Sequence, residues 1–159
     1  MSLALVTGAA RRLGRAMALA LAEDGLDVAI HCHGSGDDAE ALARDIRAKG
    51  VRAQVFTADL LDLDQVEGLV GRVTAQMGQL SVLVNNASIF EHDDIGTATR
   101  DSWDRHLGSN LRAPFILSQA FAAQAAPADL SGGEAVATGL IVNMVDQRVL
   151  KPTPEFIPY

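Results

Sequence analysis

The stretch LALVTGAARRLGRAMALALA, residues 3–22, decides the fold. It starts as a short apolar run favouring β structure (LALVT, 3–7), passes through a glycine-containing turn, and continues as an alanine-rich segment of helical spacing. A strand that feeds a helix through such a turn is the first half of a βαβ unit. We expect Thr7-Gly8 to close the strand, Ala9 to Leu13 to form the turn and Gly14 to open the helix. The first backbone N–H groups of that helix, and its dipole, then face an anion, and a diphosphate fits. The spacing is not G-x-G-x-x-G, because Arg12 stands where a middle glycine would fall. The absence of Gly-Lys-Ser/Thr excludes a P-loop. Two consecutive arginines, Arg11 and Arg12, point to more phosphate than a diphosphate alone carries.

The alternation repeats along the chain. DVAIHC (27–32), AQVFTA (53–58), SVLVNNA (81–87) and GLIVNMV (139–145) are apolar almost throughout, the pattern of buried parallel strands. Between them, segments at about 12–24, 37–49, 63–77 and 101–125 carry helical spacing, and Gly25, Gly50 and Gly78 fall where three of these helices should stop. The expected architecture is α/β, a three-layer, Rossmann-type doubly wound parallel sheet forming a single dinucleotide-binding domain over 1–159. APADLSGGEAVA (126–137) reads as a surface loop.

Composition excludes several classes. A chain of 159 residues that is 48% hydrophobic can bury one sizeable core. A net charge of −7 with scattered Lys and Arg argues against a nucleic-acid surface. Cys32 is the single cysteine, so no internal disulfide forms; without a signal-like start or an 18-residue apolar run, a cytoplasmic protein with no membrane contact is expected.

The end of the second strand specifies the cofactor. NAD-binding folds of this type place an acidic residue there, about 20 residues after the glycines, on the ribose hydroxyls. Here the residues are His31-Cys32-His33-Gly34-Ser35. With no carboxylate to repel a 2′-phosphate, and Arg12, His33 and Ser35 available to bind one, the expected cofactor is NADP(H). For Arg11 a solvated surface charge is the alternative. A metal cluster at His31-Cys32-His33 is disfavoured, since adjacent strand residues point to opposite faces and no second ligand pair has suitable spacing. Cys32 reads as a small buried hydrophobe.

Together, Thr7-Gly8-Ala9-Ala10-Arg11-Arg12-Leu13-Gly14, Asp59-Leu60, Asn85-Asn86-Ala87-Ser88, Asn110 and Tyr159 resemble the short-chain dehydrogenase/reductase family over the whole chain. Arginine in place of the middle glycine and Asn-Asn-Ala-Ser in place of Asn-Asn-Ala-Gly are similar to its pteridine reductase branch. So is Asp146, thirteen residues before Tyr159, where most members carry a catalytic serine. One departure is Gly34, where some pteridine reductases have arginine.

Gly8, Arg11, Arg12, Leu13 and Gly14 are the candidate cofactor-binding residues of the turn, with Arg12 toward the 2′-phosphate. The resemblance implies that Asp59 and Leu60 flank the adenine, and that Asn86, Ala87 and Ser88 line the nicotinamide ribose. Asn110 would hold a water in a proton relay, Phe90 would stack a pterin, and Asp146 and Tyr159 would form the acid pair, with Ser88 also facing substrate. Phe90 could instead be a core aromatic, and Asn85 and Asn86 strand caps. Asp146 is harder to read as merely structural, because a buried unpaired carboxylate is costly. Glu91-His92-Asp93-Asp94 reads as a solvated loop.

The implied reaction is hydride transfer from NADPH to a pterin or another small carbonyl or imine, in a homo-oligomer, dimeric or tetrameric when complete. The family's lysine four residues after the tyrosine falls beyond Tyr159. The chain is therefore expected to be the N-terminal portion of a longer reductase, its sheet incomplete on the C-terminal side. The alternative is a truncated nucleotide-binding domain without turnover, self-associating through a stripe of Leu111, Phe115, Leu117 and Phe121. A methyltransferase is a weaker third possibility, since it would want an acidic residue after the second strand.

Overall fold

A computed structural model of the chain describes residues 2–128, 130–134 and 136–151. Five strands, β1 (Leu3–Val6), β2 (Asp27–Cys32), β3 (Ala53–Thr57), β4 (Val82–Asn85) and β5 (Leu140–Asn143), form one sheet in the order β3-β2-β1-β4-β5. All four pairings are parallel. The intervening helices are α1 (Arg12–Glu23), α2 (Gly36–Arg47), α3 (Leu63–Met77), α4 (Arg100–Leu107) and α5 (Ala113–Gln124).

Alternation along the strands divides the core into two layers. Leu3 and Leu5 of β1, Phe56 of β3 and Leu83 of β4 pack with Val66, Val70 and Val73 of α3 and Leu117 and Phe121 of α5. Val6, Val28, Ile30 and Val84 face the other way, against Ala18 and Ala22 of α1 and Leu42 and Ile46 of α2. Burial on both faces is why β1 and β2 lack a polar alternation. Gly25, Gly50 and Gly78 end helices as expected, at φ of 84°, 90° and 103°.

Three expectations need correction. The turn after β1 is shorter than Ala9–Leu13, because the helix already begins at Arg12. The segment 101–125 is not one α-helix: α4 and α5 are joined by a π-turn, Gly108–Arg112, which carries Asn110. β5 forms one edge of the sheet, as expected for 139–145 in a sheet incomplete on that side, with Leu140 exposed. Leu117 and Phe121 are buried against α3 and the sheet, while Leu111 and Phe115, on the opposite side, are exposed; the four do not form one stripe. Among the described residues no helix is long and apolar enough to cross a membrane.

Asp27 fastens the end of the sheet away from the glycine turn. It is 1% exposed and accepts the Arg52 backbone N–H at 2.7 Å and the Arg52 Nε–H at 2.9 Å, while Arg52 also donates to the Met77 carbonyl at 2.9 Å. One carboxylate thereby links β2, the start of β3 and the end of α3. Asp27→Ala leaves the Arg52 amide without its acceptor and is expected to lower the unfolding free energy in urea by about 2 kcal/mol, with Asp27→Asn losing less. A change below about 0.5 kcal/mol would contradict this account of the fastening.

Candidate active site

The sheet order reverses direction between β1 and β4, and the crevice beyond their carboxyl ends is where open α/β sheets bind ligands. Most of the residues expected in the site gather there. Thr7 directly follows β1 and clamps the crevice floor: its Oγ1 donates to the Val84 carbonyl and accepts the N–H groups of Asn86 and Ala87 at 2.9 and 3.0 Å. Asn86 Nδ2 donates to the carbonyls of Thr7 and Gly8. Asn86 is thus a clamp on the turn.

Both glycines of the turn are required by space. Gly8 lies at φ +61°, and a Cβ there would sit 3.0 Å from the Ala87 Cα. A Cβ on Gly14 would sit 2.3 Å from the Gly8 carbonyl oxygen and 2.6 Å from Asn86 Nδ2. Arg12 is the other special position. It is the non-glycine residue with positive φ (+52°) among the described residues, the conformation a glycine adopts without cost. That explains why its place in the spacing is one where a glycine would fit, and strain of this kind persists where surrounding structure enforces it.

Helix α1 begins without a side-chain cap and without an acidic residue in its first turn. The other three helices that follow strands or loops are compensated: Asp37 and Asp38 in α2, Asp62 on the Gln65 N–H of α3, and a Thr99–Ser102 capping box on α4. The positive end of α1, with its first-turn N–H groups, is therefore unopposed by a side chain of that turn, and Leu13 is exposed. This donor set fits a diphosphate.

At the rim the charges divide. Arg11 pairs with Asp38 of α2, and Arg15 with Asp45 at 2.7 Å. His33 is exposed, with Nδ1 3.4 Å from Asp59 Oδ1. Arg12 has no acidic partner among the described residues. Although residues 31–35 contain no carboxylate, folding brings Asp38 and Asp59 to this rim, where each already faces a cationic or basic side chain. Ser35 precedes α2 without capping it, and Leu60 is buried beside Asp59.

His31 is the residue sequence reasoning passed over. It is 2% exposed, accepts the Gly8 N–H on Nδ1 at 3.1 Å, and donates from Nε2 to the Ala58 carbonyl at 3.1 Å. Its own carbonyl accepts the Ala9 N–H at 2.9 Å. A polar residue inside an otherwise apolar run was the available signal. Burial lowers its pKa to about 4, with the Ala58 hydrogen bond opposing and the charges of His33 and Arg72 adding a little. Cys32 is buried, as expected, and burial pushes its thiol pKa up.

On the β4–β5 side, Asn110 is held in the π-turn with both ends of its side chain on one residue: Oδ1 accepts the Ile89 N–H at 2.8 Å and Nδ2 donates to the Ile89 carbonyl at 2.9 Å. The side chain thereby shapes the loop that carries Ser88 and Phe90. Ser88 and Phe90 are exposed, so Phe90 is not a core aromatic. The Arg148 guanidinium lies 5.0 Å from the centre of its ring.

Asp146 is not a buried unpaired carboxylate, contrary to expectation. Its Oδ1 accepts the Arg148 N–H at 2.8 Å, capping the short 3₁₀ turn Gln147–Val149, and lies 3.5 Å from the Arg148 guanidinium. Arg148, also passed over in the sequence, thereby draws Asp146 and Phe90 to one side of the crevice. Asn85 donates to Asn143 at 2.8 Å across the β4–β5 pair. The Glu91–Asp94 segment is not simply solvated either: Asp93 is buried and accepts the hydroxyls of Ser102 and Thr97, which hold its carboxyl below the ordinary aspartate range. Tyr159 lies outside the described residues.

The chain matches the short chain dehydrogenase family over residues 2–159 and belongs to it. Among its relatives, the 3-oxoacyl-[acyl-carrier-protein] reductase FabG of Staphylococcus aureus is 42% identical over 112 residues, 70% of this chain and 46% of that protein. The solved structure of FolM Alternative dihydrofolate reductase 1 from Brucella canis, complexed with NADP, superposes with a TM-score of 0.88 at 39% identity, covering 99% of this chain and 59% of the other. A blue fluorescent protein from a metagenomic library, in complex with NADPH, gives 0.88 at 35% identity over 99% of this chain and 61% of its own. The chain spans about half the length of the curated relatives it matches.

The burial of His31 has a consequence for stability against pH. Its folded pKa, about 4, lies below the unfolded value of about 6.5, so between these values the unfolded chain binds a proton that the folded one refuses. The stability contributed by the neutral ring is complete above about pH 6.5 and is lost as pH falls toward 4, by about 2–3 kcal/mol at about pH 4.5. Urea unfolding at pH 7 and about pH 4.5, on the parent and on His31→Asn, checks it: the parent's loss should exceed the variant's by about 2 kcal/mol, and equal losses would remove His31 as the cause.

Proposed function

We propose that the chain is the cofactor-binding part of an NADP(H)-dependent reductase acting on a pterin or another small carbonyl or imine. The observation that carries this is Arg12: a guanidinium in a strained left-handed position beside the α1 N-terminus, with no acidic partner among the described residues. Solved relatives bound to NADP or NADPH support the cofactor, and the FolM alternative dihydrofolate reductases support the pterin.

In this reading the turn Gly8–Gly14, including Arg11 and Leu13, and the first turn of α1 hold the diphosphate. Arg12, His33 and Ser35 hold the 2′-phosphate, Asp59 and Leu60 border the adenine, and Asn86, Ala87 and Ser88 border the nicotinamide ribose. Bound NADPH supplies a hydride. The protein's own part is to orient the acceptor and deliver a proton. Phe90 offers an exposed ring face for a flat heterocycle, and Asp146, steered by Arg148, offers an oxygen to a ring nitrogen. Tyr159 is the proton donor, and Asn110 a positioning residue for the loop at 88–90. The exposed Trp103, Leu111 and Phe115 support assembly with further copies of the chain.

The full-length gene product should reduce a dihydropterin with NADPH faster than it reduces a 3-oxoacyl thioester, the substrate type named for the FabG relative. The reverse order would replace the pterin by the thioester. For the cofactor, Arg12→Gly removes the guanidinium while relieving the positive φ, so its unfolding free energy should stay within about 1 kcal/mol of the parent. Its preference for NADPH over NADH should nevertheless fall by roughly tenfold or more, the loss of a charge-assisted contact. An undiminished preference, measured as the ratio of the two dissociation constants, would rule out this role for Arg12.

A further inference from the structure

We propose that His31 is a positioning residue of the dinucleotide cradle, its neutral imidazole holding the diphosphate turn at Gly8 and the adenine-side loop at Ala58 in one fixed register. The proposal rests on reading this crevice as the NADP(H) site.

The geometry leaves one protonation state. Gly8 donates its N–H to Nδ1, so Nδ1 must present a lone pair, and the Ala58 carbonyl can only accept, so Nε2 must carry the hydrogen. The ring is thus the neutral Nε2–H tautomer. A doubly protonated ring would set an N–H against the Gly8 N–H. The charged and titratable groups facing it reinforce neutrality: His33 and Arg72 both disfavour a positive ring, and the side chain is buried.

Its two partners belong to the two ends of the cradle. Gly8 begins the turn whose tight path past Ala87 and Asn86 admits no Cβ. Ala58 immediately precedes Asp59 and Leu60, and its own N–H is held by the Cys32 carbonyl. The His31 backbone carbonyl adds a third tether through the Ala9 N–H. Three loop attachments, at Gly8, Ala9 and Ala58, thereby converge on one strand end, and two of them pass through the imidazole. Packing alone does not need this: an apolar side chain would fill the volume but leave the Gly8 N–H and the Ala58 carbonyl without these partners.

The test uses the full-length protein with His31→Asn, His31→Gln and His31→Leu. An Asn amide lies at the depth of Nδ1 and can accept from Gly8; a Gln amide lies at the depth of Nε2 and can donate to Ala58; Leu does neither. The readouts are NADP⁺ dissociation constants by calorimetry, thermal midpoints, and the imidazole ¹⁵N shifts of the parent without ligand. The Leu variant should bind NADP⁺ about tenfold or more weakly, with Asn recovering most of the loss and Gln less, whatever their order of thermal midpoints. The parent's shifts should report a neutral Nε2–H ring with a hydrogen-bonded Nδ1 at neutral pH. Affinities within about twofold of the parent in all three variants, or an Nδ1–H ring, would overturn the proposal. A parent that does not bind NADP⁺ would overturn the cradle reading itself, and this proposal with it.

Discussion

The structure depends on the close passage of the turn after β1 beneath the loop after β4. Thr7, through one hydroxyl, joins the ends of the two central strands, and Asn86 returns from the β4 side to hold the carbonyls of Thr7 and Gly8. Space for a Cβ exists at neither Gly8 nor Gly14. Because β1 and β4 are neighbours at the reversal of strand order, this passage sets the depth of the crevice and the direction in which α1 leaves the sheet. Within the same turn Arg12 occupies the left-handed region, so a cation stands beside the start of α1 at the cost of local backbone strain.

Electrostatics elsewhere are arranged so that the end of α1 stays open. Carboxylates are spent on structural tasks: Asp27 on Arg52, Asp62 and the first turn of α2 on helix starts, Asp93 on hydroxyls of the α4 entry, Asp146 on a 3₁₀ turn. A chain with net charge −7 thus keeps acidic groups out of the first turn of the helix that follows the glycine turn. An acidic residue there would stabilise the helix by about 0.3–1 kcal/mol but would oppose a phosphate. Its absence is consistent with a site kept for an anion.

The two sides of the crevice are built differently. On the β1–β2–β3 side, β1 and β2 are buried on both faces, and buried His31 ties the loops together. The β4–β5 side is shaped by the π-turn, where Asn110 grips the backbone of Ile89, and by the Arg148 bridge between Asp146 and Phe90. A π-turn widens one helical turn by a residue, a feature often found at functional sites. Here it lets one helical segment continue from α4 to α5 while offering Asn110 to the loop. A cofactor site on the first side and a substrate site on the second suit these different constructions.

The alternating strands and helices, their glycine ends and the glycine turn were legible in the sequence, because apolar periodicity and positive-φ residues are local properties. So was the contrast of Arg12 with a glycine, since residue type and spacing alone expose it. The partners of each side chain were not legible. Whether Asp146 stands unpaired or caps a turn, whether Asp93 is solvated, and which of two adjacent arginines is free depend on residues brought near by folding: Arg148, Ser102 and Asp38. The split of the 101–125 helix followed from the fit of Asn110 to Ile89, twenty-one residues away. His31 shows the same division most plainly. Its sequence neighbours made it one of a His-Cys-His run, but its chemistry is set by Gly8 and Ala58, which only the tertiary structure places 3.1 Å from its two nitrogens.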